Sequence, residues 1–289
     1  MTVAAEAVRV RAPSRVWARV RAQVLTVYAA LAFAYLLLPI AIVIVFSFNN
    51  PRGRFNFTWE GFTLKNWAHP LAYPGLRPAI VVSLEIAVLA ALVATVLGTL
   101  IALALVRYSF RGRGGTNLLI FLPMTTPEVV MGASLLTLFV GATWRNTTGI
   151  HLGFGTIFIA HVAFNISYVV VTVRARLIGF DRHLEEAAMD LGANEWVTFY
   201  RVTLPLIAPG ILAASLLAFA LSVDDFVITY FNAGSTTTFP LFVWGAARVA
   251  LPPQINVIGT AIFVVAVGGM MANIVFQNTR ARRAGLAKE

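Results

Sequence analysis

Four acidic residues lie inside or at the edge of long apolar runs: Glu85, Glu128, Asp224 and Asp225. A carboxylate at the centre of a membrane helix costs roughly 2.5–3.5 kcal/mol on insertion scales, so each needs a reason to be there. Two kinds of chemistry are open to them. In one, some of the four line a path for a cation. In the other, Glu128 helps to cap a helix broken at Pro123 and Pro127, Asp224 and Asp225 stand in outer water, and Glu85 pairs with a neighbouring helix. Adjacent helical residues point about 100° apart, so Asp224 and Asp225 do not share a face and one of them is a candidate for a structural role. His161, Asn165 and Tyr168 recur at i, i+4 and i+7 and read as polar glue between helices rather than as substrate contacts. Arg248, four residues after Trp244, could pair with one of the two aspartates or face a docked partner.

A second acidic stretch is of another kind. Residues 185–192 read EEAAMDLG, and the segment 181–195 holds five of the twelve acids of the chain: Asp181, Glu185, Glu186, Asp190 and Glu195. These residue types and spacings predict a short helix over about 182–191. Asp181 is suited to accept from its first N–H groups. Gly192 suits the left-handed position that ends it. Leu184, Ala187, Ala188 and Leu191 make one narrow apolar face with small residues at its middle, while Glu185, Met189 and Asp190 point elsewhere. A helix of that length is marginal alone in water. It either caps its own bundle or lies in a groove of another protein.

The elements that must position these groups follow from composition. The chain has 289 residues, of which 59% are hydrophobic and 12% charged, and its mean hydropathy is +0.81. Soluble domains carry about 25% charged residues, and about 20 apolar residues span a bilayer as a helix. The expected fold is an all-α integral membrane protein with six spans, at about 24–48, 79–106, 117–143, 155–175, 206–230 and 255–277. The domain plan is a basic segment 1–23, a spanning region 24–277 with a polar loop at 176–205, and a basic tail 278–289. The first apolar run is far longer than the 7–15 residues of a signal-peptide core and reads as a retained span.

Sixteen of the 22 lysines and arginines fall at the two ends and in the 107–116 and 174–205 loops. Basic loops stay in the cytoplasm, which places both termini and the EEAAMDLG loop there. The same bias accounts for the net charge of +10 without nucleic acid. The opposite 49–78 loop carries Phe55, Phe57, Trp59, Phe62 and Trp67, which read as an interfacial aromatic belt or as a docking surface. There is no cysteine, hence no disulfide or thiolate metal site. No G-x-x-x-x-G-K-[ST] loop is present for ATP, and RGRGG at 111–115 lacks the lysine and the strand context.

Read onward, the acidic stretch becomes Glu186-Ala187-Ala188, then Gly192, then Val202, then Leu204-Pro205. This resembles the EAA loop of ABC importer permeases, EAA-x3-G-x9-I-x-LP, with valine in place of isoleucine. SFNNPRG at 47–53, LPMTTPEVVMGASLL at 122–136, SVDDFVITYF at 222–231, FPLFVWGAARV at 239–249 and PQINVIGT at 253–260 resemble the polyamine (spermidine/putrescine) branch, closest to its second permease subunit. The resemblance implies a type I importer permease in the bacterial inner membrane, itself non-catalytic and surrounded by membrane lipid. Its coupling set would be Leu184, Glu185, Glu186, Ala187, Ala188, Asp190, Leu191, Gly192, Leu204 and Pro205. It implies as partners a cytoplasmic ABC ATPase dimer, which would hold the ATP and Mg²⁺, together with a homologous permease subunit and an external solute-binding protein. Transport would proceed by alternating access, and Glu85, Glu128, Asp224 and Asp225 would be the candidates for a polyamine path. A stand-alone secondary transporter or channel is the alternative, and it leaves the EAA-like loop without a task.

Overall fold

A computed structural model of the chain describes residues 15–283. Of the expected basic ends, 1–23 and 278–289, residues 1–14 and 284–289 lie outside the described residues, while 15–23 begin α1 and 278–283 end α13. In chain order the helices are α1 Arg15–Phe46, α2 Lys65–Ala68, α3 Leu76–Arg107, α4 Arg113–Thr125, α5 Glu128–Val140, α6 Ala142–Thr148, α7 Phe154–Ile178, α8 His183–Asp190, α9 Glu195–Thr198, α10 Leu204–Asp224, α11 Val227–Asn232, α12 Phe239–Val249 and α13 Pro253–Arg283. A π-helical turn, Phe199–Thr203, joins α9 to α10. Among the described residues the only β pairings are two isolated bridges, Asn49 with Phe62 and Phe55 with Leu251.

Five helical segments are long and apolar enough to cross a membrane: Gln23–Phe46, Leu76–Arg107, Phe154–Ile178, Glu195–Asp224 and Pro253–Ala272. The sixth expected span, 117–143, is not one helix. It consists of α4 and α5, set at 110° across Thr126 and Pro127. The break falls at Pro127 and not at Pro123, which stays inside α4. Proline clashes with a helical conformation of the residue before it, and Thr126 is extended, with ψ 132°. The hydroxyl of Thr126 returns to the Leu122 carbonyl at 2.7 Å and supplies a donor where the helix stops. The fifth span also ends sooner than expected, at Asp224, and the chain restarts as α11.

The described residues form two compact units, 71–250 and 15–70 with 251–283. The larger unit is built on α3, α7 and α10. In hydrocarbon, leucine gains nothing by leaving lipid for protein, so helices associate where small residues let backbones approach. The buried side of α3 is such a seam: Ala79, Ser83, Ala87, Ala90, Ala94, Gly98 and Ala102. Its other side, with Leu84, Val88, Leu92, Val96 and Leu100, is exposed. A Cβ added at Gly98 would stand 2.6 Å from Val169 Cγ1 on α7. Across from the seam are Val169, Val170 and Val173, and α10 adds Ile207, Ala214 and Ala218, each fully or almost fully buried.

In the smaller unit α1 packs on α13, and the loop after α1 is knit around Asn49. The Asn49 side chain donates to Asn56 Oδ1 and the Thr58 carbonyl, each at 2.7 Å, and accepts from the Glu60 N–H at 2.8 Å. Phe57, Trp59 and Phe62 are exposed on this ordered loop, whereas Trp67 is half-buried and donates to Ser47.

Because the α3–α7 approach leaves no room for a side chain, Gly98→Leu should destabilise the protein by about 1–3 kcal/mol. This would be read as a lower thermal midpoint in detergent. Gly114→Ala, at a position with open space around it, should leave the midpoint unchanged.

Candidate functional site

The path of the acidic loop is set by its caps. The Asp181 carboxylate accepts from the His183 N–H at 3.0 Å, as its residue type foretells. At the other end Gly192 has φ +88°. Its N–H donates to the Met189 carbonyl at 2.9 Å, and the Ala193 N–H to the Ala188 carbonyl at 3.1 Å, the paired bonds of a Schellman ending. Two residues on, the Asn194 side chain accepts from the Val197 N–H at 2.9 Å and starts α9. The helix observed, His183–Asp190, is one residue shorter at each end than its pattern suggested.

The two faces of α8 then do different things. No residue of α8 is buried. Leu184 is 48% and Leu191 90% exposed, and Ala187 lies between them on the surface. The apolar face therefore does not cap the bundle of its own chain. Glu186 is also turned outward and accepts from His183 Nδ1 at 3.0 Å. That hydrogen bond, followed by the charges of Asp181 and Glu186, raises the pKa of His183 above its ordinary value. Glu185 faces inward. It forms an ion pair with Arg107, the last residue of α3, and accepts a hydrogen bond from the Thr203 hydroxyl. The Arg107 guanidinium also donates to Thr203 Oγ1 at 3.3 Å. Beside it the Arg182 guanidinium donates to the Val106 carbonyl at 3.1 Å.

Leu204 and Pro205 begin α10 directly after the π turn, in which the Leu204 N–H reaches back five residues to the Phe199 carbonyl. Pro205 has no N–H to offer the preceding turn, so the ladder is irregular where that donor is missing. The last residue of the π turn, Thr203, is fully buried.

At the far end of α10 the two aspartates part company. The Asp225 carboxylate accepts from the N–H and O–H of Thr229, at 2.8 and 2.7 Å, and lies 3.2 Å from His161 Nε2. The Nδ1 atom of His161 lies 2.6 Å from the Ser222 hydroxyl. The side chains of His161 and Asp225 are only 3% and 6% exposed. Asp225 therefore does not stand in outer water; it ties α10 and α11 to α7. Asp224 is exposed, as are Glu85 on α3 and Glu128 in the first turn of α5. Among the described residues none of these three enters an ion pair, and no three acidic or histidine side chains gather as a metal site would require.

Of the expected polar glue, only His161 behaves as such. The Asn165 amide is buried and has no protein partner among the described residues, and Tyr168 packs edge-on against Phe164 at 4.9 Å. Arg248 lies over the Trp244 ring, 4.4 Å from its centre, and pairs with neither aspartate. Sequence reading did not find Arg107 and Thr203 as partners of Glu185. A basic residue closing a span is ordinary, and nothing local marks a pairing across 78 positions. Ser222 and Thr229 were missed likewise, although their spacing of three before and four after Asp225 is a signal that could have been read.

The family described as "Binding-protein-dependent transport system inner membrane component" matches residues 94–284. The spermidine/putrescine transport system permease protein PotC of Escherichia coli K12 is 39% identical over 242 residues, 83% of this chain and 89% of that protein. The putrescine transport system permease protein PotI of the same organism is 39% identical over 245 residues, 84% and 86% of the two chains. Among solved structures, a chain of a bacterial ABC transporter involved in import of the acidic polysaccharide alginate superposes with a TM-score of 0.62 at 18% identity, covering 92% of this chain and 98% of its own. At that identity the likeness is one of fold.

The buried cluster yields a stability prediction. Asp225→Ala or His161→Phe should cost about 1–3 kcal/mol, because each leaves a buried polar group without its partner. Asp224→Asn, at an exposed position, should fall within about 0.5 kcal/mol of the parent. Thermal unfolding of the three purified variants checks the contrast.

Proposed function

Since the chain belongs to the family of binding-protein-dependent transport system inner membrane components, we propose that it is the membrane-spanning subunit of an ATP-driven importer of polyamines such as spermidine and putrescine. The observation that carries the reading is the outward face of α8. Leu184, Ala187 and Leu191 form a small apolar surface on a helix whose two ends are fixed by caps, on a chain that is otherwise tied down by Glu185. A cytoplasmic ATPase dimer would receive this face, with Glu186 beside it to meet a cationic residue. The α8 loop and both termini would lie in the cytoplasm, where the basic residues collect. A homologous permease subunit would complete the membrane portion, and an external solute-binding protein would deliver the solute.

The polyamine reading is supported by the likeness to spermidine/putrescine and putrescine permeases and by the exposed acids. A polyamine is a flexible chain bearing several ammonium groups. Separate carboxylates at Asp224, Glu128 and Glu85 could each meet one ammonium at a time, and binding at several weak sites allows release as well as entry. Asp225 is already satisfied by Thr229 and His161 and would support the path without touching the solute. Selection among polyamines would then rest with the binding protein.

The test is purification followed by reconstitution with the cognate subunits. The chain should copurify with an ABC ATPase and take up labelled spermidine or putrescine only with ATP. Leu191→Glu and Gly192→Pro should each abolish capture of the ATPase and uptake, with membrane insertion intact. Asp224→Asn, alone and with Glu128→Gln, should lower polyamine uptake while the complex still assembles. ATP-independent uptake by the chain alone would overturn the importer reading, and unchanged kinetics in the double variant would remove the acids from the path.

A further inference from the structure

A helix that passes on a push must be joined stiffly to what it moves. The covalent joint between α7 and α8 is only residues 179–182, opening on Gly179, whose added Cβ would meet nothing nearer than 3.9 Å. Left to that joint, a push on α8 would be absorbed by backbone bending. Nor does a filled apolar interface stand behind α8. A cleft of about 190 Å³ lies there, lined by Arg107, Tyr108, Glu185, Met189, Phe199 and Thr203 among others. The polar links from α8 to the bundle run from Glu185 to Arg107 and to Thr203, and Arg182, just before α8, donates to the Val106 carbonyl alongside.

We propose that Arg107, Glu185 and Thr203 form an intramolecular latch that transmits displacement of α8 to the end of α3 and the start of α10, with Glu185 and Arg107 as positioning residues of energy coupling. The inference rests on the reading of the chain as the permease subunit of an ATP-driven importer. Three features suit the triad to the task. Its charges are partly withdrawn from water, with side-chain exposures of 29% for Arg107 and 14% for Glu185, so their attraction is screened less than that of a surface pair. Its two anchors are ends of helices that pack against each other, so a displacement entering there moves the α3–α7–α10 core as a body. Thr203 is also the last residue of the π turn, the irregular point in the long helix where a change of angle is least costly. The neighbouring acids therefore divide their work: Glu186 faces the partner and Glu185 faces the bundle.

The experiment uses the whole reconstituted transporter and compares polyamine uptake with ATP hydrolysis in the same vesicles. Glu185→Ala should still copurify with the ATPase, but its uptake per ATP hydrolysed should fall about tenfold. Thr203→Val should show a smaller fall in the same ratio. Exchanging the charges, Arg107→Glu with Glu185→Arg, should recover a substantial part of what either change alone removes, which a merely structural role for each residue would not produce. A ratio within roughly twofold of the parent in Glu185→Ala overturns the latch. So does a charge exchange no better than its single changes, or loss of the ATPase from Glu185→Ala, which would make Glu185 a docking residue. If the unsubstituted chain captures no ATPase, it is the importer reading that has failed.

Discussion

The structure depends on how closely α3 and α7 can approach. A bilayer gives two helices no hydrophobic reason to meet, because a leucine in lipid is already in an apolar solvent. What remains is dispersion between surfaces that fit, and the fit here is made by residues with little or no side chain. Gly98 faces Val169 at a distance that would not admit a methyl group, and the alanines on either side continue the seam. Once those two helices are fixed, α10 lays Ala214 and Ala218 against them. That packing brings the last residue of α3 and the first turns of α10 to the same place, which is where the acidic loop passes.

α10 is then held at both ends by polar groups and along its length by small apolar ones. Thr203 at its start meets Glu185 and Arg107. Ser222 near its end, and Asp225 just beyond it, meet His161. Polar contacts inside a membrane protein are individually modest, yet they are directional, and two of them at opposite ends fix rotation as well as position. A helix pinned in this way has little freedom to turn about its own axis.

Two pairs of adjacent acids show the same division. In Glu185-Glu186 and in Asp224-Asp225 one carboxylate is drawn inward by hydrogen-bond donors while its neighbour stays outside. Neighbouring positions on a helix, or at its end, point in different directions, so a pair of like charges can be placed without sharing a site. This keeps a largely buried, hydrogen-bonded carboxylate and an exposed one within one residue of each other.

Local chemistry made much of this legible. The apolar runs located the first, second and fourth spans to within about three residues, because a membrane helix must satisfy its own backbone. Asp181 and Gly192 marked the ends of α8, because a cap is formed by residues within one turn of it. The EAA spacing to Leu204-Pro205 pointed to the family. The sequence could not show that Pro127 rather than Pro123 would turn the third span through 110°, since either proline removes a donor and disfavours a helical residue before it. Nor could it show which acid of each pair would be buried. That choice was made by Arg107, 78 residues from Glu185, and by His161, 64 residues from Asp225. The sequence by itself determined the long apolar helices, the caps of α8 and the family, because those depend on neighbours along the chain. The tertiary structure decided which charges anchor and which remain free, because a partner for a buried carboxylate is set by how distant helices pack.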